Sequence, residues 1–175
     1  GVAFGNGVFV AVASGGQVMT SPDGITWTSQ TGSVVSFYQS IAFGNGLFVA
    51  MGNDSNCMTS PDGITWTTRT CANRIWSDIT YGGGLFVAVG QDPGDQLIQT
   101  STDGITWTLR TAPVSNTSVV KVTFGNGVFV GICASGTIYS TDGITWSLDT
   151  DVIYVDAIIG FCAGKFIAIN NDAGV

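Results

Sequence analysis

An all-β propeller of four-stranded antiparallel blades is the fold class this sequence predicts, and three observations predict it. One phrase, Ser-x-Asp-Gly-Ile-Thr-Trp, starts at Ser21, Ser60, Ser101 and Ser140, so it recurs at intervals of 39, 41 and 39 residues. Self-similarity at that period marks an architecture built from one repeated supersecondary unit. A second phrase alternates with it: Phe4-Gly-Asn-Gly7, Phe43-Gly-Asn-Gly46, Tyr81-Gly-Gly-Gly84, Phe124-Gly-Asn-Gly127 and the degenerate Phe161-Cys-Ala-Gly164. Each copy is followed by a short apolar run, such as VFVAVA or LFVAV. A strand exposed on one face would alternate, so an unbroken run implies burial on both faces.

The elements follow in order. The first strand of a unit, for example Ser40 to Phe43, turns at Asn45-Gly46, because Asn-Gly between apolar runs is the strongest short hairpin signal. The second strand, Leu47 to Met51, is too short and too rich in Val and Phe for a helix. A polar loop leads to the third strand, Gln17 to Thr20 in the first unit. The Pro-Asp-Gly or Thr-Asp-Gly turn leads to the fourth, expected over Ile25 to Thr28. The turn Asp is expected to accept backbone N–H bonds across its own turn. The Trp is expected to pack on the adjacent blade. Four short antiparallel strands per forty residues describe propeller blades, at 1–30, 39–69, 77–110 and 119–149, with a partial blade at 156–175. Five first hairpins but only four second hairpins make about four and a half blades. An open sheet edge invites pairing, so the chain is expected to be a fragment of a six- to eight-blade ring. Assembly with another chain, or closure around an incomplete blade, are the alternatives.

The Ser-x-Asp-Gly-x-Thr-Trp phrase resembles the Asp-box, or bacterial neuraminidase repeat, of sialidase-type propellers, shortened by one residue between Asp and Trp. The combined unit is similar to repeats of bacterial and bacteriophage surface or virion proteins. That resemblance implies a structural role, away from any active site, for Ser21, Asp23, Trp27, Ser60, Asp62, Trp66, Ser101, Asp103, Trp107, Ser140, Asp142 and Trp146. It implies no catalytic residue. The sialidases of that group use an arginine triad, a Tyr–Glu pair and an Asp, and this chain has no Glu.

Composition narrows the function classes. Only 10% of residues are charged and the net charge is -7. Twelve acids, all Asp, face five bases: Arg69, Arg74, Arg110, Lys121 and Lys165. Nucleic-acid binding needs clustered Lys and Arg, so no such partner is expected. The chain has no His, the commonest general base and metal ligand. No metal or cofactor is expected: calcium loops need oxygen ligands at alternate positions, and Pro22, Ile25 and Trp27 interrupt the Asp-Gly turns. No apolar run is long enough for a membrane-spanning helix. The expected setting is extracellular, on a cell surface or in a virion. Cys57, Cys71, Cys133 and Cys162 sit singly. At least three free buried thiols are expected, with a Cys57–Cys71 bridge across one hairpin as the alternative.

The same topology sorts the loops. The Gly-Asn-Gly and Asp-Gly turns emerge on one end and are nearly identical from copy to copy. The other end carries what differs: the loops after the second strands and the unit-to-unit connections 29–39, 68–77, 109–119 and 147–155. Loops on a rigid scaffold carry recognition. Candidate binding residues there are Tyr38, Arg74, Trp76, Asn53, Asp54, Asp92, Asp95, Asn116 and Tyr154, with Phe37 and Asp151 beside them. Aromatic rings next to Asn and Asp suit a neutral sugar. Against that, Tyr38 and Trp76 both precede the aromatic of their first hairpin by five residues, which suits a repeated packing position. Arg69 and Arg110 both follow their Trp by three, which suits a solvated strand end. The expected function is a non-catalytic structural or binding module, its partners other protein chains of a surface or virion assembly, or glycans. The alternative is a secreted carbohydrate-active enzyme or its glycan-binding domain.

Overall fold

The computed structural model of the chain describes residues 1–33, 37–53, 55–91, 97–113, 118–151 and 158–169. Blade one comprises β1 (Val2–Gly5), β2 (Val8–Ala13), β3 (Gln17–Ser21) and β4 (Thr28–Thr31). Blade two comprises β5 (Tyr38–Gly44), β6 (Leu47–Gly52), β7 (Asn56–Ser60) and β8 (Thr67–Thr70). Blade three comprises β9 (Ile75–Gly82), β10 (Leu85–Gln91), β11 (Ile98–Ser101) and β12 (Thr108–Arg110). Blade four comprises β13 (Val119–Gly125), β14 (Val128–Cys133), β15 (Gly136–Ser140) and β16 (Ser147–Asp149). The hairpin of β17 (Ile158–Cys162) and β18 (Lys165–Ile169) follows. Every pairing is antiparallel between consecutive strands. Blades meet most closely through their first strands, β1 to β5, β5 to β9, β9 to β13 and β13 to β17, which places those strands innermost.

The Gly-Asn-Gly turns close as the sequence predicts. Asn6, Asn45 and Asn126 have φ of 48 to 49° and the following glycines 74 to 78°, the two positive values a type I′ hairpin requires. In the degenerate copy Ala163 takes the same conformation at φ 50°. The fourth strands differ from expectation. They begin after the Trp, at Thr28 and Thr67, because the Asp carboxylate has already claimed the amides of the two residues after the Gly.

The core lies between the blades. Val10, Val12 and Val18 of blade one pack with Ile41, Phe48, Ala50, Met58 and Trp66 of blade two. Val49 and Met51, on the opposite face of β6, pack with Ile79, Phe86 and Ala88 of blade three. Thus Phe48, Val49, Ala50 and Met51 are all 0% exposed, which accounts for the unbroken apolar run. Burying one such large side chain contributes about 1.5–3 kcal/mol.

A second device fixes blade spacing. The first glycine of each Gly-x-Gly turn receives an aromatic ring from the next blade. A Cβ on Gly5 would lie 2.1 Å from the Phe43 ring, on Gly44 2.0 Å from Tyr81, on Gly82 2.0 Å from Phe124, and on Gly125 2.2 Å from Phe161. Only a residue without a side chain fits there, so the repeated aromatic–Gly dipeptide is an interlock between successive blades.

The cysteine expectation is corrected. Cys57 on β7 and Cys71 just past the neighbouring strand β8 form a disulfide, with Cα atoms 6.1 Å apart. Cys133 is a buried free thiol and Cys162 an exposed one.

Candidate binding face

The two ends of the blades differ in how tightly they are tied. At the turn end each Ser–Asp pair forms one closed network. Ser60 Oγ donates to Asp62 Oδ1 (2.9 Å) and accepts from Gly63 N (2.8 Å). Asp62 Oδ1 also accepts from Ile64 N (2.8 Å) and Thr65 N (2.7 Å). Trp66 Nε1 donates to Gly63 O (3.0 Å). The Ser–Asp contacts repeat at Ser21–Asp23, Ser101–Asp103 and Ser140–Asp142. Bonds to these amides hold all four carboxyls below the usual range, Asp103 and Asp142 down to about 2. One oxygen of each of these carboxylates, Oδ1, is thus committed to three donors inside its own turn. Across blades, Asn6 Nδ2 donates to Pro61 O (2.9 Å), which places both turn types at one end, and Asn126 Nδ2 donates to Gly164 O (3.1 Å), which ties two hairpin turns of the same type.

The aromatic phrase members behave as packing. Trp66 and Trp146 are 9% and 8% exposed, each within a cluster that includes the preceding blade's valines. Arg69 Nε donates to Thr59 Oγ1 (3.1 Å) and Arg110 Nε to Thr100 Oγ1 (3.0 Å). Gln30 Nε2 makes the same bond to Thr20 Oγ1 (2.9 Å), so these side chains serve one strand-edge role.

At the opposite end the predicted site residues part company. Tyr38 and Trp76 are core: 4% and 1% exposed, with Trp76 Nε1 donating to Ala72 O (2.9 Å). Neither presents a ring face to a ligand, because each is covered by a neighbouring blade's cluster. Among the described residues, the exposed apolar groups at that end include Phe37 (61%), which bridges to Ser14, and Ile75 (43%). Asn53 is exposed and accepts from Gln39 Nε2 (3.1 Å), Arg74 is half-buried, and Asp151 is exposed. Asp54, Asp92, Asp95, Asn116 and Tyr154 lie outside the described residues.

One structural residue carried no signal in the sequence. Asp78 on β9 accepts from Ser40 Oγ of blade two (2.7 Å) and from Val122 N of blade four (3.1 Å), so one carboxylate pins three blades. Its register mates in neighbouring blades are Ser40 and Lys121, and no repeated letter marks the position. On the outer flank a cleft of about 480 Å³ lies between Leu109–Pro113 and Ile144–Trp146. Among the described residues its lining carries one charged side chain, Arg110. Among the described residues no three His, Cys, Asp or Glu side chains converge as metal ligands, and no helix is long and apolar enough to cross a membrane.

Comparison with known proteins establishes the architecture. No family model and no curated protein matches the sequence. Among solved structures, the chain is similar to YCF48 bound to D1 peptide (17% identity, TM-score 0.66, 97% of this chain and 62% of that one). It is also similar to a catalytically inactive virginiamycin B lyase from Staphylococcus aureus with quinupristin (15%, TM-score 0.80, 96% and 62%). A third is the WD40 β-propeller domain of Doa1 (15%, TM-score 0.71, 98% and 61%). The chain is a β-propeller. At these identities the likeness extends to the fold alone, and the chain spans about three fifths of the length of each of the three structures.

Proposed function

We propose that this propeller is a non-catalytic binding module of a bacterial surface or bacteriophage virion protein, part of a longer chain, that recognises partner proteins through the loops opposite its Asp-Gly turns. The observation that carries the reading is the contrast between the two ends. One end is four copies of a turn closed by the same Ser–Asp hydrogen bonds. The other bears unlike loops in every blade and exposes Phe37 and Ile75. Exposed apolar side chains rimmed by polar ones suit protein contact. The Ser-x-Asp-Gly-x-Thr-Trp turns support an Asp-box-like scaffold, since Ser and Asp bond locally in all four copies and the Trp does so at Trp27, Trp66 and Trp146. Structural neighbours include a propeller bound to a peptide and a nidogen/laminin complex, which supports protein recognition as a use of this fold.

Against catalysis stands the absence of His and Glu from the sequence. The test is carboxylate-directed cross-linking of the protein within its native surface or particle fraction. Links to neighbouring chains should fall on Asp151 and the adjoining loops, and Phe37→Asp should release the protein from its assembly. Links confined to the Asp-Gly turns would reverse the assignment of the face. Turnover of sialosides, or glycan binding lost with Asn53→Ala, would replace it with the carbohydrate reading.

A further inference from the structure

Arg110 carries a charge that the fold does not call for. The position three residues after the phrase Trp holds Gln30, Arg69, Arg110 and Asp149 in the four blades, opposite Val18, Cys57, Ile98 and Thr137 of the third strands. In the first three blades its structural task is one hydrogen bond to a third-strand threonine: Gln30 Nε2 to Thr20 Oγ1 (2.9 Å), Arg69 Nε to Thr59 Oγ1 (3.1 Å) and Arg110 Nε to Thr100 Oγ1 (3.0 Å). A neutral amide does this as well as a guanidinium, and blade four keeps its four-stranded sheet with Asp149 there. The bond engages Nε alone, which leaves both terminal amino groups of Arg110 as donors.

The half-buried Arg110 lines the cleft of about 480 Å³ between blades three and four. That volume falls within the range of ligand sites, roughly 300–1,000 Å³. Apolar side chains flank the guanidinium: Leu109 and Pro113 of blade three, and Ile144 of blade four, which is 46% exposed, beside the buried Trp146. The carboxylate of the adjoining turn is already engaged. Asp142 Oδ1 accepts from the amides of Ile144 and Thr145 (both 2.8 Å), and Asp142 is not part of the lining. Among the described residues no acid pairs with Arg110 in the cleft.

We propose that this cleft binds an acidic segment of a partner protein, one carboxylate pairing with the terminal amino groups of Arg110. An apolar side chain beside that carboxylate packs on Leu109, Pro113 and Ile144. Charge complementarity selects the carboxylate, whose two oxygens match the guanidinium fork. The aliphatic walls select a peptide over a hydroxyl-rich sugar. The net charge of -7 does not forbid it, because charges beyond about 8 Å are largely screened at physiological ionic strength. The cleft lies on the outer flank, so the site goes beyond the loop face and stands or falls without it.

The probe is a pool of terminally blocked pentapeptides with a central glutamate and apolar flanks, titrated into the full nitrogen-15-labelled chain. A second pool has glutamine at the centre. The expected result is a saturable shift of the Arg110 Nε–H signal and of the Thr111 and Thr145 amides, with the glutamate pool bound about tenfold more tightly. Arg110→Gln keeps the strand-edge bond, as Gln30 does, so the melting temperature should hold while binding of the glutamate pool falls about tenfold. Arg69→Gln changes the same bond in blade two, outside the cleft, and should leave binding unchanged. Equal binding of the two pools, shifts elsewhere, no binding, or an equal loss in Arg69→Gln overturns the proposal. Should Arg110→Gln fail to fold, the two pools on the unaltered protein decide by themselves. Glucuronate binding more tightly than the glutamate pool would place an acidic sugar in the cleft and overturn the proposal as well.

Discussion

Met19 of blade one is 39% exposed, and Met58, at the same register position of blade two, is 0% exposed. The same contrast runs down the sheet. Val2 is 61% exposed against 5% for Ile41, and Ile25 84% against 54% for Ile64. Trp27 is half-buried where Trp66 is buried. The two blades share strand order, turn chemistry and register, so the difference is not in how each sheet forms. It lies in what stands in front of it: blade two has blade one, and blade one's outer face has no described blade. A blade's sequence therefore encodes its hairpins, while its neighbour sets how much each side chain contributes. An apolar face of this kind, led by Phe4 at 56% exposure, is where a further blade would pack.

The comparison breaks most readily at the second-strand phenylalanine. Phe86 is 0% exposed and touches Tyr81 and Trp107, and its counterpart Phe9 is half-buried. Phe86→Ala should cost about 3–5 kcal/mol, and Phe9→Ala less than half as much, by chemical denaturation. Equal losses would mean that blade one's outer face is covered in solution. Reduction of Cys57–Cys71 comes next. It frees a loop of separation 14 in blade two and should cost about 3 kcal/mol. An unchanged midpoint under reductant would show that the pairing of β7 with β8 suffices by itself.

The glycine interlock gives a smaller but more specific effect. Gly82→Ala drives a methyl into the Phe124 ring and should cost about 1–3 kcal/mol. Gly160→Ala meets nothing within 4 Å and should be neutral. Parity between the two would remove the interlock as a spacing device.

The legible parts of the fold were those whose cause is local. Asn45-Gly46 and Asp62-Gly63 carry their turn geometry within two residues, so hairpins, strand order and blade class follow from the letters. The fourth-strand start was misplaced because the carboxylates of Asp23 and Asp62 hold the following amides in the turn, and the alternation of Ile-Thr-Trp looks extended. Tyr38 and Trp76 show the limit on the site side. Their spacing matched a packing position and their chemistry matched a sugar platform, and only the neighbouring blade decides between them. Asp78 was illegible because its partners lie 38 and 44 residues away.

The smallest expected effect is also the one with a pH signature. Asp103 and Asp142 titrate at about 2 in the folded chain, held there by the amides of Thr106 and Ile105 and of Thr145 and Ile144. Unfolding returns both to the ordinary 3.8. A folded pKa below the unfolded one means the unfolded state binds protons first. The stabilisation is therefore complete above the unfolded value and is lost as pH falls from about 4 to about 2. Both side chains are solvent-exposed, so screening keeps the effect small. Replacing both with Asn should lower the melting temperature at pH 7 and flatten its dependence on pH across that window. Blade one offers the control that ties this back to exposure. Asp23 makes the same bonds with no described blade in front of it, and its carboxyl is likewise lowered. Asp23→Asn should therefore also reduce the loss of stability in acid. If only the inner blades respond, the turn depends on its neighbour, and local hydrogen bonding is not its sufficient cause.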